Sequence, residues 1–438
     1  MTAWIGETFT SDVGWGHLES LVDIGNRMAG SAGERAGLEL TRDALRTVGA
    51  RDARIESFEI QGWERGESEL RHDDESIASG QHACLALPRS PSGAANGPLV
   101  DLGYGLPADF ERDCTGAIVM VSADTPDDVD RFIHRREKYY HAVEAGAAGF
   151  VFTNHVAGTL PPTGSVGTVD APIGAIPAVG VSKEVGTRLS RRYEETDLTV
   201  AVDCAAPAAT SGNVIADIGP DTDEYLVVSS HVDAHDIAEG AMDNGAGTAT
   251  IVEVARALAA REAALDTRVR FIGFGAEEVG LVGSSRVAEA VDPDRVKAVV
   301  NVDSNVFGRT LQIDHHGFEA LEAAAERVGE RFDHPIALDG ALVPHSDHWP
   351  FVARGIPGYM ISGKTESRDR GWGHTTADTL DKLESRTLRE QAILLTELVV
   401  ELADDAVTTT NKSDAAIAAA LADEGKATGM QITGDWPF

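Results

Sequence analysis

Beyond Ala205 the chain alternates short apolar runs with amphipathic stretches, and this rhythm limits the folds open to it more than any other feature. The runs NVIADIG, YLVVSS, RVRFIGFG, KAVVNV and IPGYMI have the length and composition of buried strands. Between them, residues 246–260, 279–290, FEALEAAAERVGERF and 386–402 carry apolar residues at helical spacing. Strands alternating with helices predict an α/β fold, with a mixed, largely parallel sheet flanked by helices. Residues 206–404 form this unit together with an opening segment, 1–75. That segment has a helical pattern at HLESLVDIGNRM, a break at AGSAGER, a second amphipathic stretch at AGLELTRDALRTVGA and an alternating strand at RIESFEI. From 76 to 205 the texture changes. Short strands such as GAIVMVS, GFVFTN and AIPAVGVS, with the helix YYHAVEAGAAG, read as a β-rich insert with its own core. Residues 405–438, rich in Ala, Asp and Thr, read as a peripheral tail.

In open α/β sheets, sites form in the loops that leave the carboxyl ends of strands. YLVVSS delivers His231, with Asp233 two residues further on. RVRFIGFGA delivers Glu277 and Glu278, KAVVNV delivers Asp303, and the loop beyond IPGYMI reaches His374. Asp243 stands just before the helix at 246–260. Taken singly, each has an ordinary alternative: a helix N-terminal pair for the glutamates, a cap or turn for Asp303, a surface position for His374. Together they place two imidazoles and several carboxylates along one sheet edge, a donor set suited to zinc or a similar divalent ion. Two ions roughly 3.5–4 Å apart need a shared carboxylate. Asp243 is the expected bridge, on a loop that Gly245 and Gly247 allow to turn tightly. His231 with Asp303 completes one site, and His374 with Glu278 the other. Asp233 is spaced to take the second ring N–H of His231. Glu277 is left free as a general base. A phosphate-cradling role for GAMDNGAG is disfavoured, because the loop lacks GxxxxGK[ST] and has acidic neighbours.

The segments HVDAHD, GAMDNGAG, FGAEEVGLVGS, NVDS, HSDHWPF and WGHTTADT together resemble the M28 family of co-catalytic zinc aminopeptidases and carboxypeptidases. The resemblance covers residues 1–75 and 206–404, and the insert resembles the protease-associated (PA) domain that many members carry there. It implies two zinc ions, or other divalent ions, on His231, Asp243, Glu278, Asp303 and His374, with Glu277 as base. It also implies hydrolysis of peptides at a chain end, with an aminopeptidase expected. HVDAHD…GAMDNG also looks like the dipeptidase and carboxypeptidase branch. Some aminopeptidases carry a Tyr just before the last His; here that position is Gly373. His345 matches a family segment near the metals and is a candidate substrate contact. Glutaminyl cyclase-like acyl transfer is an alternative found in single-zinc relatives of this fold, and the complete ligand set argues against it. A receptor-like member would have lost ligands, and none is missing here.

Charge excludes other classes. Asp and Glu number 71 against 37 Lys and Arg in 438 residues, a net charge of −34, which leaves no basic footprint for nucleic acid. No apolar run is long enough to span a membrane. The amino-terminal stretch lacks the basic start and apolar run of a signal peptide, and three scattered cysteines make no disulfide framework. A cytoplasmic setting is therefore expected, while the oligomeric state is not fixed by sequence. The acid is spread along the whole chain, which fits a halophilic protein. In molar salt the Debye length falls to roughly 3 Å, so self-repulsion is screened. Dialysis from molar KCl into dilute buffer should therefore unfold it, seen as loss of far-UV circular dichroism. An unchanged spectrum would count against a salt requirement.

Overall fold

Every residue of the strands Tyr225–His231 and Val296–Val302 is buried, as expected of strands covered on both faces. The computed structural model describes residues 2–129, 131–365 and 371–438. These two strands sit inside an eight-stranded sheet. Its order is Arg51–Gln61, Ala208–Ile218, Arg268–Phe274, Tyr225–His231, Val296–Val302, Gly358–Lys364, Thr310–Asp314, Ile336–Asp339. The four strands from Arg268–Phe274 to Gly358–Lys364 are parallel. Ala208–Ile218 and Thr310–Asp314 join them antiparallel. The sheet is thus mixed and flanked by helices. Ala32–Thr47, Ala246–Ala259, Glu319–Phe332 and Ser385–Ala403 cover one face, packing Leu38, Ile251, Leu321 and Leu398 with Val228 and Val300. Val282–Ala290 and Trp349–Val352 cover the other, where Ala288 and Phe351 meet Val227, Ile272 and Val299. Neighbouring residues 227 and 228 thus serve opposite cores, as strand alternation requires. All four parallel strands end at one edge, and their loops meet there.

Several boundaries differ from the sequence pattern, each for a local reason. The helix Ala32–Thr47 begins inside the supposed Gly/Ser break, because Ser31 Oγ accepts the Glu34 N–H at 3.0 Å and caps the first turn. The strands Thr310–Asp314 and Ile336–Asp339 escape a sequence reading. They are short and only half-buried, so their apolar signal is weak. Residues 405–438 include two helices, Asp414–Asp423 and Ala427–Thr433. Ile417, Leu421 and Met430 from these helices join the main core, so the segment is packed in rather than peripheral.

The second sheet also has eight strands, in the order Glu75–Ser79, Glu64–His72, Asp197–Ala205, Gly93–Asp101, Ile118–Ser122, Gly149–Thr153, Ala178–Val181, Cys84–Ala86. It takes in Glu64–His72, which the sequence pattern groups with 1–75. The chain crosses between the sheets at Gly62, whose N–H bonds to Pro207 O at 2.9 Å. Helices Arg135–Glu144 and Lys183–Tyr193 pack on this sheet. Among the described residues no helix is long and apolar enough to cross a membrane.

A buried ion pair ties the two bodies together. Arg65 from the second sheet donates to both carboxylate oxygens of Asp236, at 2.6–3.2 Å, with side chains 10% and 11% exposed. The same guanidinium stacks over Trp63, 5.1 Å from the ring centre. Replacing one partner strands the other charge out of water, at a cost of about 3–5 kcal/mol. Arg65→Met should lower unfolding stability by that amount in a denaturant titration. Because the pair is shielded from solvent, raising the salt should not restore it.

Candidate metal centre

The ligand candidates converge because each leaves a parallel strand, or starts a helix, through a constrained turn. Ala276, just before Glu277, is in the left-handed region at φ 57°, as are Ser304 after Asp303 (56°), Ser346 after His345 (71°) and His374 itself (53°). Residues other than glycine hold that conformation at a cost of about 1–3 kcal/mol each. The cluster of such residues marks this edge as built for position. Asp243 lies in a non-helical turn, Ala241–Gly245, that is closed by Gly245 N–H on Gly240 O at 3.0 Å and leads into the helix Ala246–Ala259.

Two groups of donor atoms form. His231 Nε2 lies 3.2 Å from Asp243 Oδ1 and 3.7 Å from Asp303 Oδ1. His374 Nε2 lies 3.0 Å from Asp243 Oδ2 and 3.5 Å from Glu278 Oε2. A tetrahedral zinc shell with bonds of about 2.0–2.1 Å sets its ligand atoms about 3.3–3.4 Å apart. The observed edges scatter around that value. The two oxygens of Asp243 face different groups, as a bridge requires. His231 Nε2 and Glu278 Oε1 are buried with no hydrogen-bond partner among the described residues, so their lone pairs are unspent. The donor set therefore fits divalent ions.

Electrostatics point the same way. Burial disfavours the His231 imidazolium, yet Glu277, Asp233, Asp243 and Asp303 outweigh it and hold its pKa well above the ordinary value. His374 is likewise opposed by burial, but Glu278 and Asp243 raise it to about 9. Glu277 is pushed well above the carboxylate range by burial, reinforced by Glu278, Asp347 and Asp303 against the opposing pull of His231. The site holds more negative charge than its own side chains can balance.

The surrounding hydrogen bonds fix these groups, and one differs from expectation. His231 Nδ1 pairs with the backbone carbonyl of Asp233 at 3.0 Å, while the carboxylate is 3.7 Å away. That carboxylate instead accepts the N–H groups of Glu277 (3.1 Å) and Glu278 (3.2 Å), so Asp233 sets the turn that carries both glutamates. Ser346 Oγ donates to Asp303 Oδ2 at 2.6 Å, and Asn301 donates to Ser346. Asp378 was not singled out from sequence. Its carboxylate accepts the Met242 and Asp243 N–H groups at 2.6 and 3.1 Å, clamping the bridge. Arg27 and His235 were also missed. The first is buried under the loop at 232–240, and the second lies beside Glu278. Asp378 sits inside the quoted WGHTTADT motif and His235 inside HVDAHD, whereas nothing local in NRM marks Arg27.

The centre opens into a cavity of about 220 Å³, lined by Asp243, Glu277, Glu278, Asp303, His345 and His374 on one side. The insert supplies the opposite wall with His134, Arg135, Arg136, Ser165 and Gly167. Arg135 donates to Ser165 O and Thr163 O, and Thr163 N–H bonds to His374 O at 2.8 Å. The insert thus braces the loop of a candidate ligand, while none of its described residues belongs to either donor group. His345 stacks on His134 with ring centres 4.8 Å apart. Burial and the nearby Arg136, Lys426 and Arg135 lower its pKa to about 4, so it is neutral at pH 7.

Residues 213–399 match peptidase family M28, and residues 95–189 match the PA domain. The chain is 30% identical over 396 residues to aminopeptidase YwaD of Bacillus subtilis (strain 168), covering 86% of this chain and 81% of that relative. It is 27% identical over 385 residues to leucine aminopeptidase 2 of Trichophyton rubrum, covering 82% of this chain and 73% of that one. Among solved structures, BSAP, a zinc aminopeptidase from Bacillus subtilis, superposes with a TM-score of 0.70 at 25% identity, over 89% of this chain and 94% of the other.

The Asp378 clamp generates a test of the geometry. Asp378→Ala frees two backbone N–H groups and loosens the turn that presents both Asp243 oxygens. Loss of such outer support costs roughly 10–100-fold in metal affinity. Chelator competition should show that loss, and unchanged affinity would mean the turn holds itself.

Proposed function

The chain belongs to peptidase family M28, and from that premise we propose that this zinc aminopeptidase works with two ions, held by His231, Asp243 and Asp303 and by His374, Glu278 and Asp243. Support for the pair comes from Asp243, whose two oxygens face separate imidazoles at 3.2 and 3.0 Å. When bound, zinc supplies polarisation of the scissile carbonyl and acidification of water.

Everything else falls to side chains of this chain. Glu277 is the carboxylate at the cavity that lies in neither donor group. Its elevated pKa suits it to take a proton from the attacking water at a carboxylate oxygen and to return it to the leaving amine nitrogen. Asp233 keeps Glu277 and Glu278 pointing apart through its two backbone hydrogen bonds. His345, as a neutral imidazole on the wall, has one N–H to offer the oxyanion that develops on the substrate. We divide the chain at its strands: residues to Gln61 and from Ala208 make the catalytic body, and Glu64 to Ala205 make the insert. The insert acts as a wall that limits the peptide, with Arg135 and Arg136 on its inner side. The acidic composition fits work in a salt-rich cytoplasm.

The adjacent glutamates separate the roles. Glu277→Gln should keep both zinc ions while kcat on leucine p-nitroanilide falls roughly 10²–10⁴-fold, the usual size of a general-base contribution. Glu278→Gln should make one ion easy to strip. Metal analysis after gel filtration, read beside kcat, checks both. If Glu277→Gln loses zinc and Glu278→Gln keeps it, the roles are exchanged. Activity confined to amino-blocked peptides would overturn the free-amine preference.

A further inference from the structure

We propose that His235 is an additional protein ligand of the ion at Glu278 and His374, an assignment that rests on the two-ion reading above. His235 lies four residues beyond His231 on the loop that follows the strand Tyr225–His231. It is buried at 6% exposure, with Nε2 2.9 Å from Glu278 Oε2. One donor atom from each of His235, Glu278 and His374 falls within a 4.8 Å span. The rings of His235 and His374 meet edge to face, with centres 4.5 Å apart at 85°. This geometry lets both Nε2 atoms face one point without the rings colliding.

A second observation comes from the space between them. His235, Asp243, Glu278, His374 and Asp378 line a void of about 10 Å³, close to the room needed by a single water-sized sphere. Around it the successive edges are 2.9 Å from His235 Nε2 to Glu278 Oε2, 3.5 Å on to His374 Nε2, and 3.0 Å on to Asp243 Oδ2. Those lengths suit neighbouring ligands of one tetrahedral ion, whose edge is about 3.3–3.4 Å. Apart from its contact with Glu278, His235 has no hydrogen-bond partner on either ring nitrogen among the described residues.

The consequence is inequality between the two ions. His235, Glu278, His374 and one Asp243 oxygen make four protein donors, a closed shell. His231, Asp303 and the other Asp243 oxygen make three, which leaves a position open. The substrate therefore reaches the ion at His231 and Asp303, and the ion beside His235 is the harder one to remove.

Zinc content under graded dipicolinate, with X-ray absorption on the fully loaded chain, tests this. In the parent, one zinc should leave early and the other late, and three imidazoles should be shared over two ions. His235→Ala should shift the late zinc to early release and cut the shared imidazoles to two. The early zinc, unchanged, serves as the check that the variant is folded. His235→Gln keeps a donor toward Glu278 but has no imidazole, so it should behave like Ala. Restoration of the late zinc by Gln would overturn ligation and leave His235 only orienting Glu278. Unchanged affinity and imidazole number in His235→Ala would overturn it too. The two-ion reading fails separately, by a parent stoichiometry of one. In that case His235 still stands or falls by whether its loss frees that single ion.

Discussion

The centre depends on one buried cation that lies in neither donor group. Arg27 is fully buried, and its guanidinium donates to the carbonyls of Leu21, Val232, Glu239 and Gly240 at 2.8–3.0 Å. It gathers both ends of the loop between His231 and Asp243 around itself. Burial lowers its pKa to about 10, with Asp378, Asp233 and Asp243 offsetting part of that effect, so it stays charged at neutral pH. Gly240 completes the arrangement. Its φ of +58° and the 2.3 Å that a Cβ would leave to Ala234 exclude any other residue there. A charge taken out of water is tolerated here because four backbone carbonyls, two of them on the irregular loop at 232–239, accept its N–H groups.

The same economy of polar contacts explains how strained turns persist. Ala276 is held left-handed beside Glu277 while its N–H bonds to Glu34 Oε1 at 2.9 Å. Glu34 also accepts from Gly30 N–H and Ser211 Oγ, so it links the start of the helix Ala32–Thr47, the strand Ala208–Ile218 and the glutamate turn. Burial lifts its pKa to about 8, with Asp233 adding to the shift. Arg27 and Glu34 both come from the opening segment, which contributes no donor atom to the centre. Its role is to place donors that sit more than two hundred residues later.

Legibility from sequence follows the range of the interaction. The parallel strands were legible because burial on both faces demands unbroken apolar runs, and Val299–Val300 and Val227–Val228 supply them. The donor residues were legible because a strand end followed by His, Asp or Glu is a local pattern. Arg27, Glu34 and Asp378 were not, since an arginine in a helical stretch or an aspartate before a threonine looks solvated until its partners are known. The exchange at Asp233 has a similar origin. Spacing puts a carboxylate near His231, but only the turn at 276–278 shows that two N–H groups compete for it and win. The break before Ala32 and the strand at Glu64 were misjudged because a cap and a crossover each depend on a single contact.

The insert illustrates how far a chain can separate chemistry from access. Every donor in the two metal groups lies in the catalytic body, yet the cavity has only half a wall without residues 134–167. Arg65 with Asp236 fixes the insert at its root, and Thr163 N–H on His374 O fixes it at the rim. Arg136 then reaches past the cavity to Asp435 at 2.7 Å, so the carboxyl-terminal helices hold the insert from the far side. The wall is thus tied to the catalytic body at three points. Through Asp435 the carboxyl-terminal segment thereby steadies Arg136, a residue of the cavity wall, without lining the cavity itself.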